Sequence, residues 1–401
     1  MNINRIHIVI ALIVSVIVLS SCESSINTRW VDTQIEYCTR QAVKTLNNLP
    51  ADSLPRNILS LQTKWNCVDY NDWTSGFWPG VLWNLFEATG DDKWKEEAIK
   101  YTSLLKPLAF GTPNDHDLGF QVFCSYGNQQ KNLSDSLSKQ VIIDTSNKLV
   151  KLFNPKVGTI LSWPAMVKKM HWPHNTIIDN MMNLEMLFWA AKNGGDYSQY
   201  DIAFSHAEVS RKSLVRDNFS CFHVAVFDTI DGHLIKGVTH QGYNDNSVWA
   251  RGQAWGIYGF TMCYRETNYL PFLATAQKMA DVFIRNIPEG EIPKWDFNDP
   301  SIQAPKDASA ACIAASALLE LSQFSSDSKQ EKYNTTAIQL LKKLSSEIYQ
   351  SRNHNSSFLM HSTGHKPNNS EIDASIIYAD YYYLEALLRL RKMLRLKSDV
   401  N

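Results

Sequence analysis

The chain has 401 residues, 44% apolar and 20% charged, which is too long for a peptide module and too hydrophobic for a disordered segment. Its 39 Lys and Arg against 40 Asp and Glu leave a net charge of −1, so no global field favours nucleic acid, and an anionic ligand has to be caught locally. Length alone allows one large domain or two to three ordinary ones, and the 12 Trp, 16 Tyr and 17 Phe either stack sugar rings or fill a large core.

Residues 1–22 (MNINRIHIVIALIVSVIVLSSC) place Arg5 ahead of an apolar run from Ile8 to Leu19, too short for a membrane span, which needs ~20 residues. The pattern reads as a secretory signal. Leu19-Ser20-Ser21-Cys22 resembles the lipobox of bacterial lipoproteins, which would make Cys22 the acylated first residue; an ordinary cleaved signal peptide is the alternative. The expected organisation is a signal over 1–21, a short tether over 22–30 and one catalytic domain over 31–397. Such a protein is a lipoprotein of the Gram-negative periplasm, held at a membrane only through lipid. Removal of 1–21 takes away Arg5 and no acid, so the mature balance is 38 − 40 = −2. The other six cysteines are widely spaced, form no CxxC pair or zinc motif, and read as buried free thiols.

Helical periodicity then recurs along the chain. Gln34–Asn47, Asp92–Leu105, Leu133–Phe153, Tyr200–Asp217, Phe272–Asn286 and Gln330–Tyr349 are amphipathic. Asp179–Lys192, Ser247–Arg265, Asp307–Gln323 and Asp380–Arg395 are rich in Ala and aromatics, each opening on a Ser or Asp suited to cap it. Helices apolar all round are buried and those with a charged face lie outside, so the alternation predicts concentric rings of helical hairpins, an all-α toroid. His223–Phe227 and His233–Val238 flank Asp231-Gly232 and predict a small hairpin. No low-complexity block or linker divides the chain.

Polar-aromatic clusters fall between helices and at their starts: Asp72–Gly80 (DWTSGFWPG), Asn114–Phe120 (NDHDLGF), Trp172–Asn180 (WPHNTIIDN), His240–Tyr243 (HQGY) and Trp249–Gly256 (WARGQAWG). In a helical toroid such loops meet at one mouth and form a pocket. Asp179 either caps its helix or, bordered by Met-Met-Asn-Leu, is a desolvated carboxyl with a pKa raised toward proton transfer. Asp117 is either a turn residue or a partner in that chemistry. Arg251 and Trp255, four apart, share a helix face and either clamp a carboxylate beside a stacking indole or belong to helix packing. His171 and His174 lack zinc-protease spacing, and no G-x-S-x-G, P-loop or G-x-G-x-x-G is present. No metal or cofactor is expected.

The set DWTSGFWPG (72–80), HDLGF (116–120), IDNMMNL (178–184), THQG (239–242) and WARGQAWG (249–256) resembles the unsaturated glucuronyl hydrolases of glycoside hydrolase family 88, over residues 30–395. The resemblance implies an (α/α)6 barrel that hydrates the C4=C5 double bond of the terminal uronic acid left by polysaccharide lyases. Asp179 matches the acid/base and Asp117 the second essential Asp, expected to hold sugar hydroxyls and to keep the proton affinity of Asp179 high by like charge. His223, Gln241, Arg251 and Trp255 match positions around the unsaturated ring, Trp73 and Trp163 offer stacking walls, and His116 contacts the same region; Trp78 is set apart from the core aromatics only by its polar neighbours. The implied partners are unsaturated di- or oligosaccharides, taken by a monomer or homodimer.

Members acting on sulfated fragments carry Ser-x-x-Ser-x-Lys late in the chain, whereas this chain reads His361-Ser362-Thr363-Gly364-His365-Lys366. Sulfate contact is therefore assigned only as an expectation to Ser362, His365 and Lys366. Two rival readings stand beside the main one: an unsaturated rhamnogalacturonyl hydrolase of the sister family 105, and a non-catalytic glycan-binding lipoprotein.

Overall fold

A computed structural model describes residues 27–398. Among these residues, twelve main helices alternate between an outer and an inner ring. The outer helices are α1 (Thr28–Asn48), α3 (Asp92–Ser103), α5 (Ser136–Leu149), α7 (Ser198–Ser213), α9 (Leu270–Asn286) and α11 (Asp327–Leu344). The inner helices are α2 (Phe77–Thr89), α4 (π-helical Gly119–Gly127 continuing as Asn128–Leu133), α6 (3-10 Ile178–Asn183 continuing as Leu184–Lys192), α8 (Ala250–Thr267), α10 (Ala308–Ser322) and α12 (Ile377–Ser398). Each inner helix packs on the next, and α12 returns to α2, closing the ring of an (α/α)6 barrel.

Composition sorts the helices. In α10 every residue from Ala308 to Ser322 is buried, as expected of an Ala-rich segment apolar on all sides. In α11, one stripe (Tyr333, Ala337, Leu340, Leu341, Leu344) faces inward and lysines face out. Each inner helix is backed by the outer helix that follows it after a tight turn, while α1 backs α12. Gly90 and Asn268, both left-handed, terminate α2 and α8 at such turns. The tight turns therefore share one end of the barrel, here the distal mouth, and the long outer-to-inner connections share the other.

Three small sheets decorate those connections: β2 (Asn66–Val68), β1 (Leu54–Ile58) and β8 (Ser375–Ile376); β3 (Phe153–Asn154) and β4 (Thr159–Ile160); and β5 (His174–Ile177), β6 (Val224–Phe227) and β7 (Leu234–Val238). The expected β6–β7 hairpin forms around Gly232, at φ +81°, with β5 added at its edge.

Several boundaries differ from expectation. The first helix starts at Thr28, so residues 28–30 belong to the barrel and not to a tether. Two inner helices, α2 and α4, occupy stretches whose polar-aromatic motifs had read as loop. Among the expected caps, Asp307 caps α10 through Ser309 N–H, but Asp380 lies inside α12 and accepts the Phe358 and Leu359 N–H groups instead. All six described cysteines are free thiols, four of them buried. The signal segment and Cys22 lie outside the described residues; among those described, no helix is long and apolar enough to cross a membrane.

Candidate active site

The starts of α4, α6, α8 and α12 meet the connecting loops around a cavity of about 300 Å³ at the mouth opposite the tight turns. Asp117, Asp179, His116, Gln241, Arg251, Trp73 and Trp163 all line it.

Strand pairing places the central carboxyl. Ile177 pairs with Val224, and one step further Ile178 N–H donates to the His223 carbonyl, which brings Asp179 beside the His223 ring. Asp179 caps nothing: its Oδ2 is buried without a hydrogen-bond partner, 3.7 Å from His223 Nε2. Burial disfavours the carboxylate and Arg251 only partly offsets it, so the pKa rises to about 7. His223 Nδ1 accepts the N–H groups of His240 and Gln241, and burial keeps the ring neutral, so its proton sits on Nε2, facing Asp179.

The second carboxyl is built the same way. Asn183 Oδ1 accepts Phe120 N–H, which orients its amide to donate from Nδ2 to His116 Nδ1. The His116 proton is then on Nε2, 3.4 Å from Asp117 Oδ1, and burial holds that imidazole neutral with a pKa of about 3. Gly119 permits this contact: a Cβ there would lie 2.5 Å from the Asn183 Cα. Asp117 is pushed well above the ordinary carboxylate range by burial and then by Asp115, Asp179 and Asp72. The like-charge effect thus falls on Asp117, and the high proton affinity of Asp179 comes from desolvation, correcting the expected division of labour.

Arg251 is 2% exposed and pinned. Its Nη1 donates to Asp307 Oδ2 (2.6 Å) and the Thr363 carbonyl, and its Nη2 to the Gly364 carbonyl. The guanidinium lies 4.6 Å from the Trp249 ring. Nε and one Nη2 hydrogen have no partner among the described residues, so the clamp retains donors at the cavity wall. Gln241 joins the same loop through Nε2 to the Gly364 carbonyl.

Other expected residues lie elsewhere. Trp255 is a full turn deeper than Arg251, about 6 Å along the helix. It packs at 5.1 Å on Phe120 and 5.3 Å on Tyr382, outside the cavity lining. Trp78 faces Tyr101 in the core. Ser362 is buried in a bridge to Ala374, and Lys366 lies over Trp295, 3.9 Å from Asp299; of that loop, His365, Asn368 and Ser370 reach the cavity. His240 of the HQGY cluster lines it too, and so do Arg56, Glu371 and Tyr378, which the motifs did not include. Arg56 is held by Asp72 and Glu371, and its partners are 16 and 315 residues away, a pairing without local signature. Tyr378 was recognisable only as one aromatic of a helix start.

A carboxyl that keeps its proton near neutrality at the rim of a sugar-sized cavity in an α/α barrel is the equipment of an acid/base glycoside hydrolase. No protein-family model matches the chain. It is, however, 43% identical over 352 residues to the unsaturated glucuronyl hydrolase of Formosa agariphila, covering 86% of each chain. It is 35% identical over 334 residues to that of Bacillus sp. (strain GL1), covering 81% of this chain and 87% of the relative. A crystal structure of an unsaturated glucuronyl hydrolase specific for heparin superposes with TM-score 0.87 at 37% identity, covering 92% of this chain and 98% of the other. The chain belongs to the unsaturated glucuronyl hydrolases, glycoside hydrolase family 88. These relatives support the hydrolase reading over the pectin-fragment and non-catalytic alternatives.

Proposed function

We propose that the protein releases the 4,5-unsaturated uronic acid from the non-reducing end of lyase-generated glycosaminoglycan oligosaccharides by hydrating the C4=C5 bond. The observation that carries this reading is the buried Asp179 carboxyl with a pKa of about 7, positioned against a histidine N–H. Protonated Asp179 gives its proton to C4 as positive charge develops at C5. Water adds to C5 and returns a proton to the Asp179 carboxylate, so one group serves as acid and then base and is restored. The C5 hemiketal opens and the glycosidic bond breaks, with no enzyme nucleophile at C1, unlike two-carboxylate glycosidases.

Arg251, through its spare donors, and Gln241 receive the uronate carboxylate; His223 donates at the reacting centre; Asp117 and His116 hold hydroxyls; Trp73 and Trp163 wall the ring. Contact with a sulfate on the next sugar falls to His365 at the rim and to Arg56, rather than to Ser362 or Lys366. Heparin-derived disaccharides are the favoured substrates, supported by the relative described as heparin-specific. The protein acts in the periplasm as a monomer or homodimer and is anchored through acylated Cys22; the lipobox-like sequence of residues 19–22 supports the anchor.

The test follows the near-ultraviolet absorbance of the conjugated enol ether during incubation with unsaturated disaccharides from heparin, chondroitin and hyaluronan. Loss of absorbance, fastest on the heparin series, is expected. No loss on any of them overturns the proposal, and an Asp179→Asn protein that remains fully active overturns the acid/base assignment.

A further inference from the structure

We infer that the anchor holds this protein with its catalytic mouth turned away from the membrane, so that it works on soluble oligosaccharides arriving from the aqueous side. The inference rests on the reading of Cys22 as the acylated residue and adds an orientation to it. Every outer helix starts at the distal mouth, and α1 obeys the rule: Asp32, near its start, lies 3.6 Å from Arg391 in α12, and the same guanidinium donates to the Ala88 carbonyl at the end of α2. Asn27, which caps α1, is therefore on the distal face.

The reach of the tether decides the geometry. Cys22 and Asn27 are five residues apart, and five residues span at most about 18 Å when fully extended. The barrel wall is taller: α11 alone has 18 residues, or about 27 Å of helix. A tether shorter than the wall cannot carry the bilayer surface round to the catalytic loops. The lipid surface therefore cannot cover the catalytic mouth and lies on the distal side of the barrel, where a separate cavity of about 930 Å³ lined by Trp189, Arg265, Glu385 and Arg389 opens. Glycans attached to the same membrane are out of reach, whereas chains free in the compartment enter unobstructed.

The experiment uses the full-length acylated protein bound to preformed phosphatidylglycerol and phosphatidylethanolamine vesicles carrying a headgroup nitroxide. With the half-buried Cys67 and Cys124 changed to Ser, a fluorophore is placed at Tyr197→Cys, 65% exposed at a distal turn, or at Ile302→Cys, 96% exposed on a catalytic-side loop. Quenching several-fold stronger at 197 than at 302 is expected, and insertion of about 20 Gly/Ser residues after Ser25 should shrink the difference. Equal quenching, or stronger quenching at 302, with the protein still bound overturns the orientation. Separately, wild type that fails to float with vesicles, or Cys22→Ser that still floats, overturns the anchor itself and the orientation with it.

Discussion

His223 Nε2 and Asp179 Oδ2 stand 3.7 Å apart, both buried and both without a hydrogen-bond partner among the described residues. Because two backbone N–H groups occupy His223 Nδ1, the imidazole can only donate toward the carboxyl. A donor there favours the charged form of Asp179, so His223→Ala should raise the Asp179 pKa and move the alkaline limb of kcat/KM to higher pH. Loss of the donor at the reacting centre should also lower kcat by about 100-fold. A pH–rate profile of the variant reads both effects.

Catalysis starts from protonated Asp179, so kcat/KM should fall tenfold per pH unit above about pH 7. The same group shapes stability. The folded chain holds this proton up to about pH 7 and the unfolded chain releases it near 3.8, so between those values the unfolded state binds fewer protons and stability declines as pH rises. The full decline is about 4 kcal/mol. Asp179→Asn should therefore be inactive yet melt at a higher temperature than wild type at pH 8, with the gap closing toward pH 4; thermal unfolding across that range checks it.

Arg251 and Asp307 form a buried ion pair, and Asp307 also caps α10. Asp307→Ala strands a buried guanidinium and removes the cap, so a loss of about 3–5 kcal/mol is expected in denaturant unfolding. Arg251→Lys keeps the charge but not the fork that reaches Asp307, Thr363 and Gly364 together; KM for unsaturated disaccharides should rise at least tenfold.

Gly119→Ala would press a methyl group against Asn183, the residue that fixes the His116 tautomer. We expect kcat to fall by more than tenfold, because tight interiors transmit such displacements. Steady-state kinetics beside a melting curve separates this from global unfolding.

The rings of helices were legible because burial imposes composition: Ala308–Ser322 reads as an inner helix and Asp327–Leu344 as an outer one before any contact is known. Phe77–Thr89 and Gly119–Leu133 were not, since both begin within motif residues and the second opens as a π-helix, whose wider turn departs from the 3.6-residue period. Asp179, Asp117, Gln241 and Arg251 were found through dense local motifs. Arg56, Glu371 and Tyr378 escaped because their partners are distant in sequence: ring closure brings Arg56 to Glu371, 315 residues away, and sets Tyr378 beside Arg251 of another inner helix. Trp255 was misplaced by counting a shared helix face without depth along the axis.

Because α1 packs on α12 just as α3 packs on α2, the junction between the last and first helices is one more hairpin whose connecting turn happens to be missing. The fold is a cycle with no privileged starting point. Linking the two ends and opening the chain at Gly194-Gly195, a turn on the same distal face, would change the order of the residues around Asp179 along the chain yet leave each on its native helix start or loop.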